Sequence, residues 1–314
     1  MRFFEQRLRM TLKFCSKMLF FIINCTVNIF TGAGVALITP FKNGNVDFES
    51  FDKLCDELLL RGVKAFIVLG TTGEPQSLTP REKAKILSHA IALAKGRIPV
   101  IAGVSKNNTS AGITEADVYS SMGADGLLVI TPYCSKSTED GLLEHFRMIK
   151  AVSGLPIIAY NVPNRTGYNL SSKLVSILAK EGTIQGIKQA NKDIQQSIDI
   201  LYECAGKCSI YSGEDGLSVP LRSIGAVGSI SVLALVMPEV ADALFDLPLS
   251  RAGKLQVEIN ELVKLLFCEV NPVPVKYLLS ELKKCENILR LPLSPLSKDN
   301  QSKLKKQATK LLDL

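Results

Sequence analysis

Pro156-Ile157-Ile158-Ala159-Tyr160 and, ending 28 residues after Tyr160, Thr183-Ile184-Gln185-Gly186-Ile187-Lys188 are two short apolar runs that finish on a phenol and on an amine. Runs this short and this apolar read as strands buried on both faces, the pattern of a parallel sheet. The amphipathic stretch between them supplies the helix that a parallel crossover needs.

Working outward, the same rhythm fills the chain from Gly32 onward, with Val- and Ile-rich runs recurring roughly every 25–35 residues. They are Gly34–Thr39, Ala65–Gly70, Pro99–Gly103, Gly126–Thr131, Pro156–Tyr160, Ile184–Lys188, Ser209–Gly213 and Gly228–Val232, eight in all. The stretches between them predict helices. Phe48–Leu60 repeats apolar residues at Phe51, Leu54, Leu58 and Leu59, and Thr79-Pro80-Arg81-Glu82 carries an N-cap, a first-turn proline and a capping-box glutamate. Eight strand–helix units fit a closed (β/α)₈ TIM barrel of about 250 residues. An open doubly wound sheet is the rival, but no Gly-rich dinucleotide fingerprint follows any strand. Residues 251–287 add C-terminal helices, and no Ser/Gly linker divides residues 32–297, so 31–297 is expected to form one domain. A Lys-rich tail, 298–314, is expected to be frayed or helical.

The 314 residues carry a formal charge of +7, but five Arg or Lys against one Glu fall in residues 1–17 and five Lys against two Asp in 298–314, leaving the body neutral. A nucleic-acid groove needs clustered cations on one face, and aromatic stacking platforms are scarce at 6% Phe, Trp and Tyr. Eight scattered cysteines and the two histidines, His89 and His145, make neither a zinc site nor a disulfide scaffold, and point to reduced thiols of the cytoplasm. Residues 1–30 stand apart. Arg2, Arg7, Arg9, Lys13 and Lys17 precede the apolar Met18-Leu19-Phe20-Phe21-Ile22-Ile23, which is too short and interrupted to span a bilayer. The segment reads as an organelle-targeting extension, or as a mis-assigned start with Met10 or Met18 as the true one.

Reactive groups of such barrels collect at the C-terminal ends of the strands. Thr71 and Thr72 follow the second run, Tyr133 and Cys134 the fourth, Tyr160 ends the fifth, Lys188 the sixth and Gly213 the seventh. A lysine among apolar neighbours loses hydration, which disfavours its ammonium form, and a neutral amine attacks a ketone to give a Schiff base. A phenol and two hydroxyls beside it supply the proton transfers.

Gly70-Thr71-Thr72-Gly73-Glu74, Tyr160-Asn161-Val162-Pro163-Asn164-Arg165-Thr166-Gly167, Gly186-Ile187-Lys188 and Asn271-Pro272-Val273-Pro274-Val275-Lys276 resemble signature segments of the dihydrodipicolinate synthase family. That family lies within the class I pyruvate aldolases, together with N-acetylneuraminate lyase. The similarity runs from about Ile29 to Ser297. The resemblance implies that Lys188 forms the Schiff base with pyruvate and that Tyr160 donates and accepts protons. Thr71 relays them, and Thr72 holds the pyruvate carboxylate. Arg165 binds the carboxylate of L-aspartate-4-semialdehyde, while Gly213 and Ile230 offer backbone carbonyls. It implies no metal or organic cofactor, no nucleic-acid or membrane partner, a homotetramer built as a dimer of dimers, and a place in lysine and diaminopimelate biosynthesis.

Two departures stand out. The family usually shows two tyrosines after strand four, the second completing a neighbouring subunit's relay, whereas this chain has Tyr133-Cys134. A thiol is shorter than a phenol and a weaker donor. Tyr133, a water or another group takes over the relay; or the enzyme has moved to another pyruvate aldol reaction; or it is a degraded copy. Lysine-inhibited relatives also carry histidine and glutamate in the stretches where this chain has Pro75, Pro80 and Lys83, and Ala111. A lysine cation near Lys83 is then repelled, its acidic partner is missing, and weak feedback is expected. The alternatives to a synthase are a lyase for N-acetylneuraminate or a 2-keto-3-deoxy sugar acid, against which Arg165 argues, and a non-catalytic homologue.

Overall fold

The computed structural model describes residues 28–312; the basic and apolar segment at the start of the chain lies outside the described residues up to residue 27. Ten strands are present among the described residues. β1 (Gly32–Ala36), β4 (Ala65–Val68), β5 (Val100–Val104), β6 (Gly126–Ile130), β7 (Ile157–Asn161), β8 (Gly186–Gln189), β9 (Ser209–Ser212) and β10 (Gly228–Ser231) pair in parallel and close into a barrel as β10 meets β1. Each of these strands lies within or overlaps one of the eight runs read from the sequence. A small antiparallel hairpin, β2 (Phe41–Lys42) with β3 (Asn45–Val46), follows the first barrel strand.

Successive side chains of a strand point to opposite faces, and that alternation divides the core in two. Leu127 and Val129 of β6, Ile157 and Ala159 of β7 and Ile187 of β8 face outward into the layer shared with the helices. Leu128, Ile130, Ile158 and Tyr160 face inward, where they fill the barrel with Ile67, Ile101, Tyr211 and Ile230. Phe30 plugs the interior by stacking on Tyr211 at 4.5 Å between ring centroids, and the Tyr211 hydroxyl donates to the Phe30 carbonyl at 3.0 Å. The barrel is therefore packed solid below its C-terminal mouth.

Helix α1 (Phe48–Leu60) turns Phe51, Leu54, Cys55 and Leu58 inward. Helix α2 (Pro80–Ala94) opens on the expected capping box: the Thr79 hydroxyl accepts from the Glu82 N–H, and the Glu82 carboxylate accepts from the Thr79 N–H at 2.9 Å. Helices α3 (Thr109–Ser121), α4 (Glu139–Ser153), α5 (Pro163–Thr166), α6 (Ser172–Lys180), α7 (Ile194–Cys204), α8 (Ser218–Ser223) and α9 (Pro238–Asp246) complete the outer ring. Beyond it lie α10 (Leu249–Glu258), α11 (Asn260–Leu266), α12 (Val273–Glu281) and α13 (Lys298–Leu312). The Lys-rich α13 buries Leu304 and Ala308 against α11 and α12, so a lysine-rich composition here covers an amphipathic helix docked by its apolar stripe. No helix among the described residues is long and apolar enough to cross a membrane.

Candidate active site

Parallel register sets Tyr160 of β7 beside Lys188 of β8, and Lys188 beside Tyr211 of β9. All three point inward, so the Lys188 stem is packed in the barrel and only 8% of the residue is exposed. Its amine lies 4.4 Å from the centre of the Tyr160 ring. Behind it runs the backbone of Gly213. A methyl group there would sit 2.9 Å from Lys188 Cε and 2.8 Å from Ala190 Cβ, which is why this strand end carries no side chain.

The loop after β4 is held in a tight conformation. Leu69 and Glu74, at either end of Gly70-Thr71-Thr72-Gly73, have left-handed backbones at φ 59° and 53°. Each costs about 1–2 kcal/mol for a residue with a side chain, so the surroundings must hold them. Three contacts do so. The Thr39 hydroxyl donates to the Gly73 carbonyl at 2.7 Å, and the Asn271 amide donates to the Thr72 hydroxyl at 2.9 Å. Third, Lys276 of α12, fully buried, donates to the Glu74 carboxylate and lies 4.1 Å from the Phe41 ring centre. Burial pushes the Lys276 ammonium below its ordinary range, opposed by Glu74. Asn271 and Lys276 were quoted in the sequence only as part of a C-terminal signature; here they tie the C-terminal helices to the threonine loop.

A cavity of about 340 Å³ opens above Lys188. Thr72, Tyr160, Arg165, Lys188, Gly213 and Ile230 all line it, six residues from five strand ends or the loops that follow them. Arg165, exposed on α5, is steadied by donating to the Asn271 carbonyl at 3.2 Å. An adjoining cavity of similar volume is lined by Thr71 and Tyr133 and shares Arg165 and Asn271 with the first. Cys134 lines neither: it is exposed, with a left-handed φ of 72°. The Tyr133 backbone is fixed by Asn107, whose side chain accepts from its N–H at 3.1 Å, and burial raises the phenol against the pull of Lys106. The described cysteines, Cys134 among them, are free thiols.

Lys83 is paired within the chain: Glu115, one helical turn beyond Ala111, accepts from its ammonium at 2.8 Å and has Lys106 at 3.3 Å on the same oxygen. A helix offers the same face again four residues later, which puts this carboxylate one turn from position 111.

Glu214 is a lining residue that the sequence reading passed over, because its signal, an acid directly after a strand-end glycine, is common in loops. Next to it, Asp215 is fully buried and accepts from the backbone N–H groups of Val232 and Leu233 at 3.0 and 2.9 Å, which clamps the ends of β9 and β10 together.

The family model for the dihydrodipicolinate synthetase family matches residues 29–311. The 4-hydroxy-tetrahydrodipicolinate synthase of Alkaliphilus oremlandii is 41% identical over 280 residues, covering 88% of this chain and 97% of the relative. Among solved structures, the dihydrodipicolinate synthase of Thermotoga maritima superposes with a TM-score of 0.88 at 36% identity, over 90% of this chain and 99% of that one. The chloride-inhibited enzyme of Acinetobacter baumannii, complexed with pyruvate, gives 0.87 at 36% identity over 89% of this chain and 98% of its own.

Proposed function

Because the chain belongs to the dihydrodipicolinate synthetase family, we propose that it condenses pyruvate with L-aspartate-4-semialdehyde to 4-hydroxy-tetrahydrodipicolinate, in lysine and diaminopimelate biosynthesis. The Lys188 amine attacks the pyruvate ketone, and water leaves as the protonated imine forms. That imine draws electrons from the methyl carbon, which gives a proton to the Tyr160 relay. The resulting enamine carbon attacks the aldehyde, and the new alkoxide takes a proton back through Tyr160 and Thr71. The amino group of the second substrate then adds to the imine carbon, and the bond to Lys188 breaks, releasing the cyclic product and the free amine.

Thr72 holds the pyruvate carboxylate and Arg165 that of the aldehyde, whose planar pair of acceptor oxygens suits the donor fork of a guanidinium. Gly213 and Ile230 offer carbonyls to the imine. The observation that carries the reading is the Lys188 amine 4.4 Å above the Tyr160 ring in a cavity also lined by Thr72 and Arg165. A polyhydroxylated sugar acid needs no second anion site, which leaves Arg165 without a role in a sialic-acid-type lyase. The protein is further taken to act in the cytoplasm as a homotetramer.

Borohydride reduction in the presence of pyruvate, followed by peptide mass spectrometry, tests this. The adduct is expected on the peptide containing Lys188, together with turnover of both substrates in a coupled assay. An unlabelled Lys188 overturns the proposal.

A further inference from the structure

The roles assigned so far leave one group of the second substrate without a partner. L-Aspartate-4-semialdehyde carries a carboxylate and an ammonium on the same carbon. Arg165 answers the first; an ammonium brought into a part-buried cavity without a counter-charge is costly. Three carboxylates stand at or beside this cavity. Glu269 is held through one oxygen, accepting from the Ser297 hydroxyl at 2.6 Å and from the Asn300 amide at 2.7 Å, which turns it towards the start of the C-terminal helix. Asp215 is committed to the Val232 and Leu233 N–H groups. Glu214 lines the cavity together with Lys188 and Arg165, and among the described residues no donor is hydrogen-bonded to its carboxylate.

The backbone of Glu214 is nonetheless fixed. Its carbonyl accepts from the Ser212 hydroxyl at 2.8 Å and from the Leu217 N–H at 2.9 Å, so the side chain projects from a firm base. Burial and the neighbouring Asp215 raise its affinity for a proton, against the pull of Lys192, Lys188 and Arg165. Lys192 is exposed and Arg165 is engaged with Asn271. Once the pyruvate adduct has become the enamine that meets the aldehyde, the Lys188 nitrogen carries no charge.

We propose that Glu214 is a specificity-determining residue of this site, accepting hydrogen bonds from the α-ammonium of the aldehyde while Arg165 takes its carboxylate. The pair reads an amino acid by both of its charges. This inference rests on the synthase reading above.

The test compares the intact wild type with Glu214→Gln and Glu214→Asp. The KM for L-aspartate-4-semialdehyde is measured beside the inhibition constant of succinic semialdehyde, which has the same carboxylate and aldehyde but no amine. Loss of a charge-assisted hydrogen bond predicts that Glu214→Gln raises the KM about tenfold or more, with a smaller change in kcat. The inhibition constant of the amine-free analogue stays where it was. Glu214→Asp recovers part of the lost affinity, and borohydride trapping of pyruvate on Lys188 is unchanged in both variants. A parallel rise of the KM and the inhibition constant, or an unchanged KM, overturns this inference alone. A wild type that traps pyruvate but consumes no amino-aldehyde overturns the synthase reading and this inference with it.

Discussion

At the scale of the residue, the site depends on what is left out as much as on what is present. Gly213 leaves the space that the Lys188 stem occupies: a methyl group there would come 2.9 Å from Cε and 3.1 Å from the Gln189 carbonyl. The backbone at this position is not left-handed, so the strain of Gly213→Ala lies in these contacts alone, shared between the flexible lysine stem and Ala190 Cβ at 2.8 Å. Displacing the amine by even part of an ångström lowers pyruvate trapping by up to about 100-fold, measured as the rate of borohydride-dependent labelling. A wild-type rate would show that the lysine tolerates the shift. Cys134 poses the opposite question. It holds a left-handed φ of 72° on an exposed loop, where a thiol gains little from the strain. If the family's second tyrosine completes a relay there, Cys134→Tyr raises kcat in the coupled condensation assay; an equal kcat would show that this position does not limit turnover.

At the scale of the element, strands were more legible than loops, for a physical reason. Burial on both faces makes a barrel strand apolar along its whole length, so β4, β6 and β7 announce themselves, and alternation then tells which residues face inward. That is how Tyr160 and Lys188 could be placed at one mouth before any coordinates. The capping box at Thr79 was equally plain, because its chemistry is local. Glu115 and Asn271 were not, since their partners lie 32 and 199 positions away in the chain. His145 belongs with them. It is buried in the seam between α3 and α4, 3.1 Å from the Thr109 hydroxyl and edge-on to Phe146 at 5.7 Å. Burial lowers its pKa from 6.5 to about 4. Between those values the unfolded chain binds a proton that the folded chain does not, so stability rises with pH across that window. The contribution is complete above 6.5 and is lost as pH falls towards 4. The slope is at most about 1.4 kcal/mol per pH unit. Thermal unfolding should show the wild-type Tm dropping on acidification through this range, and His145→Leu should flatten the drop whatever its own effect on Tm near neutrality. A variant with the wild-type slope would assign the acid sensitivity elsewhere.

At the scale of the whole molecule, the ion pairs divide into those that tie the fold together and one that bears on regulation. Arg290, which donates to the Glu82 carboxylate, and Lys276, which donates to Glu74, fasten the C-terminal segment to the helix and loop after β4. They explain why the helical addition and the barrel read as one unit. Removing one partner of the fully buried pair would leave an uncompensated charge, at a cost of about 3–5 kcal/mol. The third cluster, Lys83 and Lys106 on Glu115, lies close to Tyr133, where it contributes to the charge around the phenol. Lysine-inhibited relatives are expected to receive free L-lysine in this region. Here the chain's own ammonium groups already share one oxygen of the carboxylate, and Lys83 is 5% exposed, so its pair is shielded from the screening that weakens surface contacts. An incoming ammonium meets two like charges there, and the second oxygen of Glu115, which makes no hydrogen bond, is buried away from solvent. Millimolar L-lysine should consequently leave the condensation rate close to its uninhibited value, read as initial velocity at subsaturating pyruvate over a lysine titration. Lys83→Ala, which frees Glu115 from its nearer partner, should increase sensitivity. Steep inhibition of the wild type at low lysine concentration would mean that the Lys83–Glu115 pair opens to admit the ligand, and that repulsion at this cluster does not govern feedback.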